Sequence, residues 1–300
     1  MTWLTAALVV AATLGVSNII DSHLLGKRLN SLWLYGVPVG MLHLSYGLIF
    51  LAFYPLSGEV NAFPLFVAIC SAVARAGAII LMLYAVRTEE ISRVIPVVNT
   101  YPIFVAILAV PLLEETLKYL QWLAIIMVVL GAALISVNWR GWGRAAGVRR
   151  SFMLLLACSV LFAVTNIATK YVLDYISFWN VYSINDICFG SIFLLLATRP
   201  GVINQLWARK DRCTILKLIA FSETIAVGAY ILSFWAMAKG PVSLVSTILG
   251  TRPLFVFLYA FALSHAFPAV LNERFNRGTV TFLKIGATVL IVSGIALINI

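Results

Sequence analysis

Charge is the scarcest property of this 300-residue chain: charged side chains make up 11 % of it, where a soluble domain carries roughly 25 %. A water-facing surface cannot be built from so little. Apolar residues reach 62 %, against the usual 45–50 % or so, and mean hydropathy is +1.03, so lipid is the expected solvent. Cysteine is also sparse. Cys70, Cys158, Cys188 and Cys213 lie far apart without a C-x-x-C pair, which argues against a disulfide framework or a thiolate metal site. His23, His43 and His265 fall in three separate segments with no paired carboxylates, so no catalytic constellation is expected and the chain reads as a non-enzyme. There is no P-loop for nucleotide-driven work and no cofactor motif. The net charge of +10 lacks the basic, aromatic-interleaved stripe of a nucleic-acid binder. Met1-Thr2-Trp3-Leu4 has no basic leader region, so the first apolar segment is expected to stay in the protein.

What is abundant is long apolar sequence. A bilayer core needs about 20 mostly apolar residues per helix. Ten windows meet this: 3–20, 32–55, 63–84, 94–113, 120–137, 152–173, 178–197, 215–238, 241–261 and 280–298, here spans 1 to 10. They are apolar all round rather than alternating, as barrel strands would be. The fold class expected is all-α integral membrane protein.

The chain also repeats. Thr100-Tyr101-Pro102-Ile103-Phe104-Val105 returns 151 positions later as Thr251-Arg252-Pro253-Leu254-Phe255-Val256. At that spacing Gly77-Ala78 meets Gly228-Ala229, Tyr84-Ala85 meets Trp235-Ala236, and Ser92 meets Ser243. A repeat at half the length signals duplication. Residues 1–139 form a first five-span unit, 140–150 a basic linker, and 151–300 a second unit. Five is odd, so the second copy enters the membrane from the opposite side, and the repeats are inverted. Secondary transporters commonly use this arrangement, with substrate bound near the midplane between the copies.

Lysine and arginine set the orientation, because cytoplasmic loops hold an excess of them. Sixteen fall on one side, from Lys27 and Arg28 to Lys284. Only Lys118, Lys170 and Lys239 fall on the other, and Arg75 and Arg252 lie inside spans. The expected location is the inner (plasma) membrane, with both termini outside the cytoplasm.

The repeated stretches resemble the drug/metabolite transporter superfamily, in particular its EamA-type members. The resemblance rests on Tyr84-Ala85 and Trp235-Ala236 ending spans 3 and 8, and on Pro102-Ile103-Phe104-Val105 and Pro253-Leu254-Phe255-Val256 in spans 4 and 9. It also rests on the acidic openings Glu115-Thr116-Leu117 and Glu273-Arg274-Phe275, and on Gly131-Ala132-Ala133 and Gly294-Ile295-Ala296 in the last spans. Val16-Ser17-Asn18-Ile19 is likewise similar to Val164-Thr165-Asn166-Ile167. The resemblance implies an alternating-access carrier whose cavity is lined by spans 1, 3, 4, 6, 8 and 9. The loop between spans 9 and 10 is longer than its counterpart, and the family's termini are usually cytoplasmic, opposite to the charge count here.

Arg75, Glu223 and Arg252 stand near the middles of spans 3, 8 and 9. Three such residues facing lipid would cost about 8–10 kcal/mol in total, so they are expected to face a wet cavity or one another. An Arg75–Glu223 pair serves either as a structural lock or as a gate. Arg75 plus Arg252 minus Glu223 leaves +1, which suits an anionic or zwitterionic small molecule such as an amino or organic acid, gripped by a guanidinium fork. Glu223 could also load a proton for coupling. Asp186 reads as a packing partner, and Asp21 and Lys170 as snorkelling residues. Asn18 and Asn166 read as interhelical hydrogen-bonders near the cavity. Tyr84, Tyr101, Tyr230, Phe234 and Trp235 offer aromatic faces, which would also suit a cation. Pro102 and Pro253 are expected to kink their helices as flexing points. Gly36-x-x-x-Gly40 reads as a packing face, and Trp139, Trp142 and Trp207 as interfacial anchors. Besides a small molecule and the bilayer, a homodimer partner is left open. The alternatives are a flippase of a lipid headgroup or polyprenyl-phosphate sugar, and an exporter of cationic drugs or amines. Reporter fusions at both termini should report the non-cytoplasmic side; a cytoplasmic signal from them would overturn the orientation.

Overall fold

The computed structural model describes residues 1–29, 31–56, 60–88, 97–136, 148–197, 201–266 and 279–298, and all regular structure among these is helical. Thr2 opens α1 (Trp3–His23) through a reciprocal capping box with Thr5. One wider π turn (Leu24–Arg28) carries α1 on, and Ser31 accepts the Trp33 N–H to start α2 (Leu32–Phe53). There follow α3 (Ala62–Thr88), α4 (Tyr101–Leu113), α5 (Tyr119–Ser136), α6 (Val148–Leu173), α7 (Phe178–Ala197), the short α8 (Val202–Trp207), α9 (Arg212–Lys239), α10 (Val242–Leu249), α11 (Arg252–Ala266) and α12 (Thr279–Ile298). Eight stretches are long and apolar enough to cross a membrane, one of them running through α10 and α11; the apolar helices Tyr101–Leu113 and Leu283–Ile298 are shorter. Among the described residues these eight spans and two shorter helices overlap the ten windows read from the sequence.

Two differences from that reading are local. Helix α6 begins at Val148, inside the segment read as linker, while residues 137–147 lie outside the described set, taking Trp139 and Trp142 with them. Spans 4 and 9 are not continuous helices, as described below. The four cysteines carry free thiols.

Helices pack in partnerships between the two halves of the chain: α1 along α9, α3 along α6, α2 against α7, α5 against α12, and α4 on α10. Lipid supplies no hydrophobic drive between helices, so close van der Waals approach must hold them. Glycines make that approach possible. A Cβ on Gly190 of α7 would lie 2.6 Å from the Leu44 nitrogen and 2.7 Å from the Gly40 oxygen of α2. On Gly40 it would meet the Gly190 oxygen at 3.1 Å, which bears out the small-residue face expected at Gly36 and Gly40. The α5–α12 contact uses the same device. A Cβ on Gly131 would come within 2.8 Å of the Ala287 oxygen, and one on Gly294 within 3.0 Å of the Ala124 oxygen.

At one end of the bundle, Arg28 lies 3.6 Å and Arg209 3.0 Å from Asp211, and the Arg209 guanidinium holds the Asp211 carboxyl below the usual carboxylate range. Trp207 stands exposed beside Arg212, whose guanidinium lies 5.3 Å from its ring, as an interfacial anchor would.

Replacing Gly190 by Ala should lower stability in detergent by about 1–3 kcal/mol, since backbone rather than a side-chain tip blocks the methyl. Gly77→Ala, with nothing within 4 Å of the new methyl, is the control and should not lower it. Thermal unfolding of both variants checks this.

Candidate functional site

Four ionisable side chains meet inside the bundle, one from each of α2, α3, α7 and α9. His43 is 3 % exposed, Asp186 0 %, Arg75 7 % and Glu223 6 %. The His43 ring reaches a carboxylate on either side: Nδ1 lies 2.9 Å from Asp186 Oδ2, and Nε2 lies 3.1 Å from Glu223 Oε2. Arg75 Nη1 lies 3.5 Å from the other Asp186 oxygen. Its guanidinium sits over two aromatic rings, 4.3 Å from the centroid of Tyr230 and 5.2 Å from that of Phe189. Tyr35 donates to Glu223 Oε1 at 2.8 Å. Helical spacing explains the grouping. Tyr35 and His43 share a face of α2, Asp186 and Phe189 one of α7, and Glu223 and Tyr230 one of α9.

A second polar knot adjoins it. Ser17 and Ser222 hydroxyls share a hydrogen bond of 2.8 Å, and Ser222 donates to Asp21 Oδ1 at 2.9 Å. The Tyr35 hydroxyl, which bonds Glu223, lies near the Asp21 carboxylate as well. Asp21 is therefore tied into the bundle rather than snorkelling.

This geometry corrects the expected Arg75–Glu223 pair. Arg75 pairs with Asp186, and Glu223 is held by His43 and Tyr35. Asp186 is central rather than peripheral. The charges sum differently too: Arg75 (+1), Asp186 (−1) and Glu223 (−1) give −1 with His43 neutral and 0 with it protonated.

The second feature lies in spans 4 and 9, where both helices break at the repeated phrase. Val97 and Val98 are helical, Asn99 and Thr100 form a turn, and α4 resumes at Tyr101. Likewise α10 ends at Leu249, and α11 starts at Arg252. The hydrogen bonds of the two breaks match position by position. Thr100 N–H donates to Val97 O at 3.1 Å and Thr251 N–H to Ile248 O at 3.0 Å. The hydroxyls of Thr100 and Thr251 bond those same carbonyls at 2.7 and 2.6 Å. Pro102 and Pro253 thus do not kink continuous helices, as expected. They sit in the first turn of resumed ones, where a missing N–H costs nothing. The breaks lie back to back, since a Cβ on Gly250 would meet Pro102 Cγ at 3.1 Å.

Arg252 is accordingly not mid-helix; it opens α11, half-buried, with neither ion pair nor hydrogen bond among the described residues. Tyr101 lies across from it, donating to Ser246 O at 3.1 Å, while the fully buried Ser246 hydroxyl has no partner among the described residues. The remaining expected residues scatter. Tyr84 is 57 % exposed on α3, away from Arg75. Trp235 is half-buried against the core of α9 and α10. Asn18 is half-buried on α1, and Asn166 bonds the Phe162 carbonyl of its own helix rather than a neighbouring one. Lys170 donates to Met237 O at 2.9 Å, near the C-terminus of α9, where a cation is favoured.

The acidic residue that opens span 5 has a visible task. Glu115 accepts the backbone N–H groups of Val242 and Ser243 and the Ser243 hydroxyl, capping the N-terminus of α10 from the other half of the chain. Its counterpart Glu273 lies outside the described residues.

The first half matches the model of the EamA-like transporter family over residues 1–137. Over that half the chain is similar to EamA-like transporters, of the drug/metabolite transporter superfamily. Its long apolar helices mark the chain as a multi-pass membrane protein, and the family match over residues 1–137 supports a transporter. No curated protein sequence matches it significantly. A crystal structure of another protein superposes with a TM-score of 0.69 at 15 % identity, over 98 % of this chain and 94 % of that one; at that identity the likeness concerns fold alone. The EamA-like unit contributes His43, Arg75 and Glu115, and each finds its partner beyond residue 137.

Asp186→Asn should strip the cluster of the charge that serves both His43 and Arg75. Breaking a buried pair from one side costs about 3–5 kcal/mol, so a large loss of thermal stability is expected. A double replacement of Arg75 and Asp186 by Met and Leu should recover part of it, which the same unfolding measurement reads.

Proposed function

We propose that the chain is a secondary-active carrier built from two inverted five-helix repeats, ten spans in all, which move a small polar metabolite by alternating access. Matched hydrogen bonds at a spacing of 151 residues support the duplication. So do the reciprocal pairings, because an inverted repeat makes α1 on α9 and α3 on α6 the same contact seen twice. The reading keeps residues 1–139 and 151–300 as the repeats, the termini outside the cytoplasm and the plasma membrane as the site.

The observation that carries the substrate class is Arg252 at the start of α11, unpaired among the described residues, where two broken helices meet. Discontinuous helices present half-helix N-termini, the positive ends of their dipoles, to anionic groups. Arg252 adds a full charge and a planar fork there, Tyr101 adds an aromatic face, and the unpartnered Ser246 hydroxyl adds a polar group. An amino acid or organic acid, bound through its carboxylate, fits this set. A cationic amine is the second reading, favoured by the excess of carboxylates in the cluster of Asp21, Asp186 and Glu223 over Arg75.

Thermal-shift screening of the purified protein against amino acids, organic acids, cationic amines and lipid headgroups separates these, since a ligand stabilises the state it binds. A carboxylate is expected to stabilise the wild type, and Arg252→Ala to weaken its binding by about tenfold or more. Unchanged carboxylate binding by the variant would overturn the site; stabilisation by amines alone would favour the second reading.

A further inference from the structure

His43 of α2 lies between carboxylates from two other helices, and the chemistry of its ring restricts what that geometry means. An ionised carboxylate only accepts hydrogen bonds. A neutral imidazole carries one N–H, so it can serve Asp186 or Glu223 but not both; its other nitrogen would turn a lone pair toward an oxygen about 3 Å away. Contacts of 2.9 and 3.1 Å on both nitrogens are met when one extra proton sits in the His43–Asp186–Glu223 set. That proton takes the cluster from −1 to 0. Without it, one of the two contacts must be given up.

The surroundings make the proton mobile in one direction. Glu223 receives the Tyr35 hydroxyl at 2.8 Å, that hydroxyl lies near Asp21, and Asp21 is held by Ser222 at 2.9 Å and by Ser17 at 3.4 Å. Hydroxyls and carboxylates thus line a polar file from the end of α1 to the interior, with the step between Asp21 and Tyr35 left to a turn of the hydroxyl. The file opens toward the face where Arg28, Arg209 and Asp211 cluster. Beyond His43 it closes. Asp186 is fully buried, its far side faces Arg75 at 3.5 Å with Tyr182 nearby, and Arg75 is in turn covered by Tyr230 and Phe189. These are the charged and titratable groups that face the ring from α1, α2, α3, α7 and α9.

We infer that His43, between Asp186 and Glu223, is a proton-loading site that couples the carrier to a proton gradient, with Asp21 at the mouth of its path. The proton enters at Asp21, passes through Tyr35 and Glu223, and rests on the imidazole. Loaded, the ring ties α2 of the first half to α7 and α9 of the second. Releasing the proton to the opposite face frees one of those ties, which is the change an alternating carrier needs between its two states. The coupling rests on the carrier reading above; the loading of His43 does not.

The test has two arms. In the first, ring nitrogens are labelled in a His23→Asn/His265→Asn protein, where His43 is the one remaining histidine, and nitrogen NMR follows them from about pH 5 to about pH 11. Expected is a doubly protonated ring that converts to a singly protonated one within that range; a ring unchanged throughout overturns the proposal. In the second arm, proteoliposomes containing a pH-sensitive dye are given radiolabelled amino acids and C4 dicarboxylates. An inward proton gradient should raise wild-type uptake about tenfold or more, with the dye reporting proton entry. His43→Gln and Glu223→Gln should lose the stimulation while keeping the helical circular dichroism of the wild type; the milder Glu223 variant covers the case in which His43→Gln fails to fold. Gradient-insensitive wild-type uptake overturns the proton site and leaves the carrier reading standing. A titrating His43 in a protein that moves no compound overturns the carrier reading, and the coupling with it.

Discussion

An ion placed inside a lipid-immersed helix bundle must be answered by another ion, and the only groups that can answer come from elsewhere in the same chain. Arg75 illustrates the rule: left unpaired at the centre of α3 it would cost about 2.5–3.5 kcal/mol even on the mildest scale. Asp186 answers it from α7, and that carboxylate also holds His43, which holds Glu223. Four helices from the two halves are therefore fixed relative to one another by one connected set of charges. The glycine contacts at Gly40–Gly190 and Gly131–Gly294 bring the backbones close, but small-residue packing alone does not choose a register. The charges do, because a slip of one turn would leave at least one of them without a partner.

The backbone obeys the same rule at the two breaks. A turn in the middle of a span frees carbonyls that lipid cannot satisfy. Here the hydroxyls of Thr100 and Thr251 recapture the Val97 and Ile248 oxygens, and the prolines occupy positions where no N–H is required. The repeated phrase Thr-x-Pro is thus a complete local solution, which explains why it is present in both copies while the residue between, Tyr101 or Arg252, differs. Glu115 plays a similar part for the orphan N–H groups of α10.

Spans were legible in the sequence because apolar length is a one-dimensional property, and the small-residue face of α2 because Gly36 and Gly40 are spaced by one helical turn. The breaks were half legible: the phrase marked the place, but proline alone could not distinguish a kink from a restart. The partner of Arg75 was not legible. Depth along a helix can be counted, and Arg75, Asp186 and Glu223 all lie deep; which of them share an azimuth depends on how helices far apart in sequence rotate against each other. His43 was passed over for the same reason. It has no acidic or basic neighbour on its own helix, and its two partners lie in the other half of the chain.

The pairing pattern also has a bearing on biogenesis. Ribosomes deliver this chain from its N-terminus, so His43 and Arg75 reach the membrane well before Asp186 exists to meet them, and Glu115 before α10 exists to be capped. The EamA-like unit must therefore wait, with its charges sheltered by water, lipid headgroups or the insertion machinery, until its second half emerges. Half of this chain is not a protein by itself: each half carries groups that only the other can satisfy, and neither is finished until both are in the bilayer.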